Sequence, residues 1–97
     1  MKRAVCVSKA AEDDIDRLTV FLMGKNLEAA LNVTDLLWSA VASLSEFSER
    51  GVPGRRPGHR ALFVPFGRGA YVIHYVVYGR SVVVIQIFHS LEDRPLA

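Results

Sequence analysis

The sequence has 97 residues, 51% of them hydrophobic and 23% charged, with one cysteine and a formal charge of +2. Those values exclude a disordered chain, an intramolecular disulfide and a cysteine-based metal cluster, and they fit one globular domain over residues 1–97. Basic Lys2 and Arg3 are followed by Lys9, Glu12, Asp13 and Asp14, which leaves no room for a signal-peptide apolar core or a membrane span, so the expectation is a cytoplasmic protein that does not enter a membrane.

Residues 3–7 are rich in valine and read as a short strand, with Cys6 expected as a small buried thiol. Ser8 can cap a following helix, and Glu12, Asp13 and Asp14 favour its positive end. Ile15, Leu18 and Leu22 fall on one face of that helix, joined by Phe21, and Gly24 is a natural stop. Asn26 caps a second helix. Ala30, Val33, Leu37, Ala40, Val41, Leu44 and Phe47 trace its apolar stripe, widened by Leu27, Leu31 and Trp38. At 1.5 Å per residue this helix would run about 30 Å, and the short Gly24-Lys25-Asn26 link makes the pair an antiparallel hairpin.

From Ser48 to His59 the glycines, prolines and arginines forbid helix or central strand. Three strands are then expected at Arg60–Phe66, Ala70–Tyr78 and Ser81–His89. Gly67-Arg68-Gly69 joins the first two, and Gly79-Arg80 joins the last two with glycine placed first, as a type II′ turn prefers. The runs Tyr71–Tyr78 and Val82–Phe88 are nearly continuous in apolar residues, which suits strands covered on most of both faces. The fold class is therefore α+β: an N-terminal strand, an antiparallel helical hairpin, then a three-stranded antiparallel meander (β-α-α-β-β-β), with the helices packed on one face of the sheet.

Charge divides unevenly along this order. Residues 1–49 hold five Lys and Arg against eight Asp and Glu, whereas residues 50–97 hold seven Arg against only Glu92 and Asp93. Arginine suits bidentate contact with phosphate or carboxylate, so the second half is expected to carry a basic face for nucleic acid or an acidic partner. Arg50, Arg55, Arg56, Arg60 and Arg68 form the densest patch; a solvated loop with scattered arginines is the plainer alternative. His59, His74 and His89 show no metal-ligand spacing, and no phosphate-binding glycine loop or serine-nucleophile motif is present, so no metal or cofactor is expected. His74 reads as an ordinary strand residue. His89, at a strand end before a polar segment, is better placed for acid–base work or contact.

Ala11-x-x-Asp14-Ile15-x-x-Leu18, Asn26-x-x-Ala29-Ala30 and Leu44-x-x-Phe47-x-Glu49-x-Gly51 resemble the helical half of the RelE/ParE superfamily of toxins. Arg60, Gly69-Ala70-Tyr71-Val72-Ile73-His74-Tyr75 and His89-Ser90-Leu91-Glu92-Asp93 resemble its strand half. The resemblance spans nearly the whole chain. RelE-like members are nucleases that cut mRNA in the ribosome, and they share a Tyr-Arg-Val-Ile-Tyr strand and a Gly-His-Arg…Tyr segment. Laid on this chain, the strand arginine falls on Val72, the second arginine on Ser90 and the tyrosine close to Arg94. ParE-like members instead share Tyr-Val-Ile-x-Tyr and His-Gly-x-x-Asp, which this chain matches with Ser90 in place of glycine.

What the ParE resemblance implies is a non-enzymatic poison of DNA gyrase, held in a hetero-oligomer by a cognate antitoxin. Its implied target-binding residues are Arg60, His89, Ser90, Glu92, Asp93 and Arg94, beside the basic patch Arg50, Arg55, Arg56 and Arg68. The alternatives are a ribosome-dependent mRNA endonuclease using Arg60, His89 and Arg94, and a non-toxic module that only binds an antitoxin.

Overall fold

The computed structural model describes residues 2–92. Its elements run β1 (Ala4–Val7), α1 (Lys9–Met23), α2 (Leu27–Ser43), β2 (Val52–Pro53), β3 (His59–Phe66), β4 (Gly69–Tyr78) and β5 (Ser81–His89). The strands form a five-stranded sheet in the order β1-β5-β4-β3-β2. All neighbours are antiparallel except β1, which lies parallel to β5. The expected α+β order is present, with a two-residue edge strand, β2, added from the loop rich in proline and glycine.

Both helices begin as the sequence suggests. The Ser8 hydroxyl accepts from the Ala11 amide at 3.1 Å, and the Asn26 side-chain oxygen accepts from the Ala29 amide at 3.1 Å. Each satisfies one of the first-turn amides that have no partner inside the helix. Ala11, Ile15 and Leu18 of α1 and Ala30, Val33, Leu37, Ala40 and Val41 of α2 are buried. All but Ala30 meet Leu62, Val64, Tyr71, Ile73, Tyr75, Val82, Val84 and Ile87 from one face of the sheet. The Gly79-Arg80 turn has its glycine at φ 58°, the left-handed value that a glycine-led hairpin turn requires.

Three expectations need correction. Cys6 is exposed. β1 is an edge strand whose alternate residues Val5 and Val7 pack on the core, which turns Ala4 and Cys6 outward. The apolar stripe of α2 is narrower than its sequence: the helix stops at Ser43, so it runs about 26 Å, and Phe47 lies beyond it with 62% of its surface exposed. Leu27, Leu31 and Trp38 also face outward, as does Phe21 on α1. A hairpin laid on one face of a sheet can bury only the side of each helix that meets the sheet or the other helix.

The segment after α2 is tied down by Tyr75. Its buried hydroxyl donates to the Ser48 carbonyl at 2.8 Å and accepts from the Gly51 amide at 3.0 Å. Tyr75→Phe should therefore lower stability by about 1–3 kcal/mol, because it strands a buried amide and a buried carbonyl together. Trp38→Ala, at a position 42% exposed, should cost about 1 kcal/mol or less. Urea denaturation of both variants beside the parent measures the contrast, and a larger loss at Trp38 would contradict the burial described here.

Candidate functional site

Past residue 84, β5 has no strand on its outer side among the described residues. The pairing of β1 with β5 ends at Val7↔Val84, and the register between β4 and β5 shifts just beyond, so that Tyr75 pairs with Val84 while His74 pairs with Gln86. The middle of α1 takes over that edge. The Asp14 carboxylate accepts the Ile87 amide at 2.9 Å and lies 3.5 Å from the Arg17 guanidinium. Arg17 in turn pairs with Glu92 at 2.7 Å, and Glu92 accepts the His89 amide at 2.8 Å. Asp14, Arg17 and Glu92 thus fix where the chain leaves the sheet, with charged hydrogen bonds of the stronger kind.

Around this exit lies a groove of about 700 Å³, walled by Leu18, Phe21 and Leu22 of α1, by Phe66 and Arg68 at the β3–β4 turn, and by Tyr71, His89 and Leu91. The His89 ring stands edge-on to Tyr71 at 5.0 Å, and its Nδ1 accepts the Leu91 amide at 3.2 Å. Ser90 extends the strand pairing by one step: its amide donates to the Ala70 carbonyl at 2.7 Å and its hydroxyl accepts the Ala70 amide at 3.0 Å. A Cβ at Gly69 would come within 2.4 Å of that hydroxyl, so glycine there is what admits serine at position 90. Ser90 itself has no positive φ, since among the described residues only glycines do. Burial, and then the Glu92 carboxylate, push the Tyr71 phenol above its usual range, which works against a phenolate base.

The sequence-derived candidates fall into two groups at opposite ends of the sheet. His89, Ser90, Glu92 and Arg68 gather at the groove. Arg60 does not: it pairs with Tyr75, four residues along β4 from the Tyr71 that faces His89, a separation of about 13 Å along the strand. The Arg60 guanidinium instead donates to the carbonyls of Gly51 and Glu49, at 3.2 and 3.1 Å, and so braces the loop. Arg50, which bonds the Ser43 hydroxyl, and the exposed Arg55 and Arg56 lie on that same side. Asp93 and Arg94 lie outside the described residues. Asp14 and Arg17 went unnoticed as site residues. Their i, i+3 spacing on α1 was readable, but their partners Ile87 and Glu92 lie more than 70 positions away.

His74 is less ordinary than its strand position implied. It is 4% exposed, on the sheet face away from the helices, and its Nε2 sits 3.0 Å from Nδ1 of His59. Among the described residues no group of three or more His, Cys, Asp or Glu is arranged to hold a metal ion.

The sequence matches the family described as "ParE toxin of type II toxin-antitoxin system, parDE" over residues 5–94, and the chain belongs to that family, within the RelE/ParE superfamily. It is 42% identical to "Toxin RelE1" of Caulobacter vibrioides over 94 residues, 97% of this chain and 100% of that protein. It is 35% identical to "Toxin RelE3" of the same organism, over 95% of this chain and 99% of that protein. Its fold is similar to the chromosomal ParDE system of P. aeruginosa (TM-score 0.76, 20% identity, 91% of this chain and 96% of that one). It is also similar to the toxin–antitoxin complex RelBE2 of Mycobacterium tuberculosis (TM-score 0.56, 22% identity, 92% and 99%).

Burial, and then the charge of His59, hold the His74 pKa below the ordinary 6.5, with Gln86 acting the other way. The unfolded chain therefore takes up a proton at His74 more readily than the folded one, and stability should fall as the pH drops through and below 6.5. Urea midpoints at about pH 7.5 and about pH 5.5 should differ in that direction. His74→Gln should flatten the difference; an unchanged pH slope in that variant would place the titration elsewhere.

Proposed function

We propose that this type II toxin acts as ParE-like toxins do, by binding DNA gyrase and blocking replication rather than by cutting RNA, and that a cognate antitoxin neutralises it in the cytoplasm. The observation that carries the reading is the environment of Val72. It is 3% exposed and clusters with Ala61 and Phe88 on the sheet face away from the helices. A RelE-like nuclease would carry an arginine at this position to hold the phosphate and offset charge in the transition state. An apolar cluster supplies neither. Ser90, where such a nuclease has its second arginine, is spent on the backbone of Ala70.

In this reading His89, Ser90, Asp93 and Arg94 contact gyrase, and Glu92 holds the segment through Arg17. The groove beside them is the surface that the antitoxin covers, because Phe21 and Leu91 on its rim are 64% and 71% exposed, the kind of apolar patch that marks a binding surface. The two Caulobacter relatives bear the RelE name, so the second reading is a ribosome-dependent mRNA endonuclease using Arg60, His89 and Arg94.

A supercoiling and DNA-cleavage assay with purified toxin and gyrase tests the first reading. Accumulated cleaved DNA or lost supercoiling is the expected result. No effect at large toxin excess, together with cleavage of mRNA on translating ribosomes, would replace it with the second. In the gyrase assay His89→Ala and Arg94→Ala should each weaken inhibition about tenfold, equivalent to about 1.4 kcal/mol of binding. Antitoxin affinity should stay nearly unchanged in Arg94→Ala and fall less than gyrase inhibition in His89→Ala, whose ring also walls the groove; an equal loss of both activities in both variants would make these residues structural.

A further inference from the structure

The end of the sheet opposite the groove collects cations from four separate segments. Lys2 and Arg3 precede β1, Arg50, Arg55 and Arg56 lie in the segment from the end of α2 to β3, Arg60 lies near the start of β3, and Arg80 lies in the β4–β5 turn. Hydrogen bonds make these segments neighbours. Arg3 reaches the Gly79 carbonyl and the Ser48 hydroxyl, Ala4 donates to the Arg80 carbonyl, and Val77 donates to the Gly58 carbonyl. Among the described residues two acids, Glu46 and Glu49, share this end with seven Lys and Arg, which gives +5. The other 5 Lys and Arg and 8 Asp and Glu of the sequence sum to −3, which accounts for the chain's +2. Positive charge is thus gathered at one end, which the half-to-half asymmetry of the sequence only hinted at.

Arg55, Arg56 and Arg80 are exposed and make no side-chain hydrogen bond or ion pair among the described residues, and Lys2 reaches Glu46 only at 3.8 Å. Exposed, unpaired guanidinium groups at one pole form an electrostatic footprint for phosphate. We infer that this basic pole is a second binding surface, separate from the groove, that docks on the phosphate backbone of double-stranded DNA. Single strands call for a row of exposed aromatic platforms. Here Tyr71 and Tyr75 are buried in the sheet, and the exposed Tyr78 and Phe47 come from two separate segments, with no further ring in line. An RNA duplex is told from DNA through its 2′-hydroxyls. The hydroxyls of Ser43, Ser45 and Ser48 at this pole are already committed to Ala40, Arg3 and Arg50. What remains is mainly charge, with the Ser81 and Tyr78 hydroxyls beside it, so the contact is indifferent to base sequence. This surface goes beyond the gyrase reading and is tested without gyrase, so failure of either leaves the other standing.

The test is fluorescence anisotropy of a labelled DNA duplex titrated with the purified toxin chain over a range of salt, with two variants matched in charge. Arg55→Glu/Arg56→Glu and Lys25→Glu/Arg68→Glu each change the net charge by −4, the first at the basic pole and the second at the far end. All four positions are exposed, and unchanged circular dichroism and melting confirm the folds. The expected result is that the first variant loses tenfold or more in affinity and its log–log salt slope falls by about 2, as the loss of two phosphate contacts requires. The second variant should keep the parental slope. Equal losses in the two variants would reduce the effect to net charge and overturn the assignment. Tighter binding of duplex RNA, or of a single strand with loss on Tyr78→Ala, would overturn the choice of duplex DNA.

Discussion

The outer edge of β5 is the constraint around which the rest is arranged. β1 covers it only as far as Val84, and a bare strand edge beyond that point would leave amides and carbonyls open to pairing with another chain. The chain closes the gap with side chains. Asp14 takes the Ile87 amide and Glu92 takes the His89 amide, with Arg17 bridging the two carboxylates. Because Asp14 and Arg17 sit in the middle of α1, closing the edge also fixes how that helix crosses the sheet. The groove between α1 and the β3–β4 turn follows from that placement.

The same arrangement separates the two ends of the molecule. β3, β4 and β5 carry their turns alternately to the groove end, where Gly67 and Arg68 lie, and to the far end, where Gly79 and Arg80 lie. Over the ten residues of β4 the two ends stand about 30 Å apart. Residues close in sequence number, such as Arg60 and Arg68, are therefore sent to different surfaces. Arg60 is also withdrawn from contact work by the two carbonyls it braces.

The sequence made the elements legible because each carried a local signal: a cap at Ser8 and Asn26, glycine in the turns, and long valine-rich runs in β4 and β5. It made the site only half legible. His89 and Ser90 stood out through their position at a strand end and through the family pattern. Asp14 and Arg17 did not, since a charged pair on an exposed helix turn reads as solvated until its distant partner is known. The burial errors have one cause. Periodicity says which residues share a face, but not how wide a face the neighbouring layer covers, so Leu31, Trp38 and Phe47 counted as core and Cys6 as buried.

That surplus of apolar surface bears on how such a toxin is kept. A domain of this length buries only about 60–65% of its unfolded surface and has little stability in reserve. Placing Phe21, Leu27, Leu31 and Leu91 outside forgoes burial that the fold could have used. A partner that covers them binds the folded state alone and so stabilises it by mass action. For a toxin with a cognate antitoxin, the apolar surface left open in the free chain thereby links neutralisation to folding. A toxin released from its antitoxin would lose the inhibitor and a share of its stability in the same step, while the charged pole, exposed at Arg55, Arg56 and Arg80, needs no such cover.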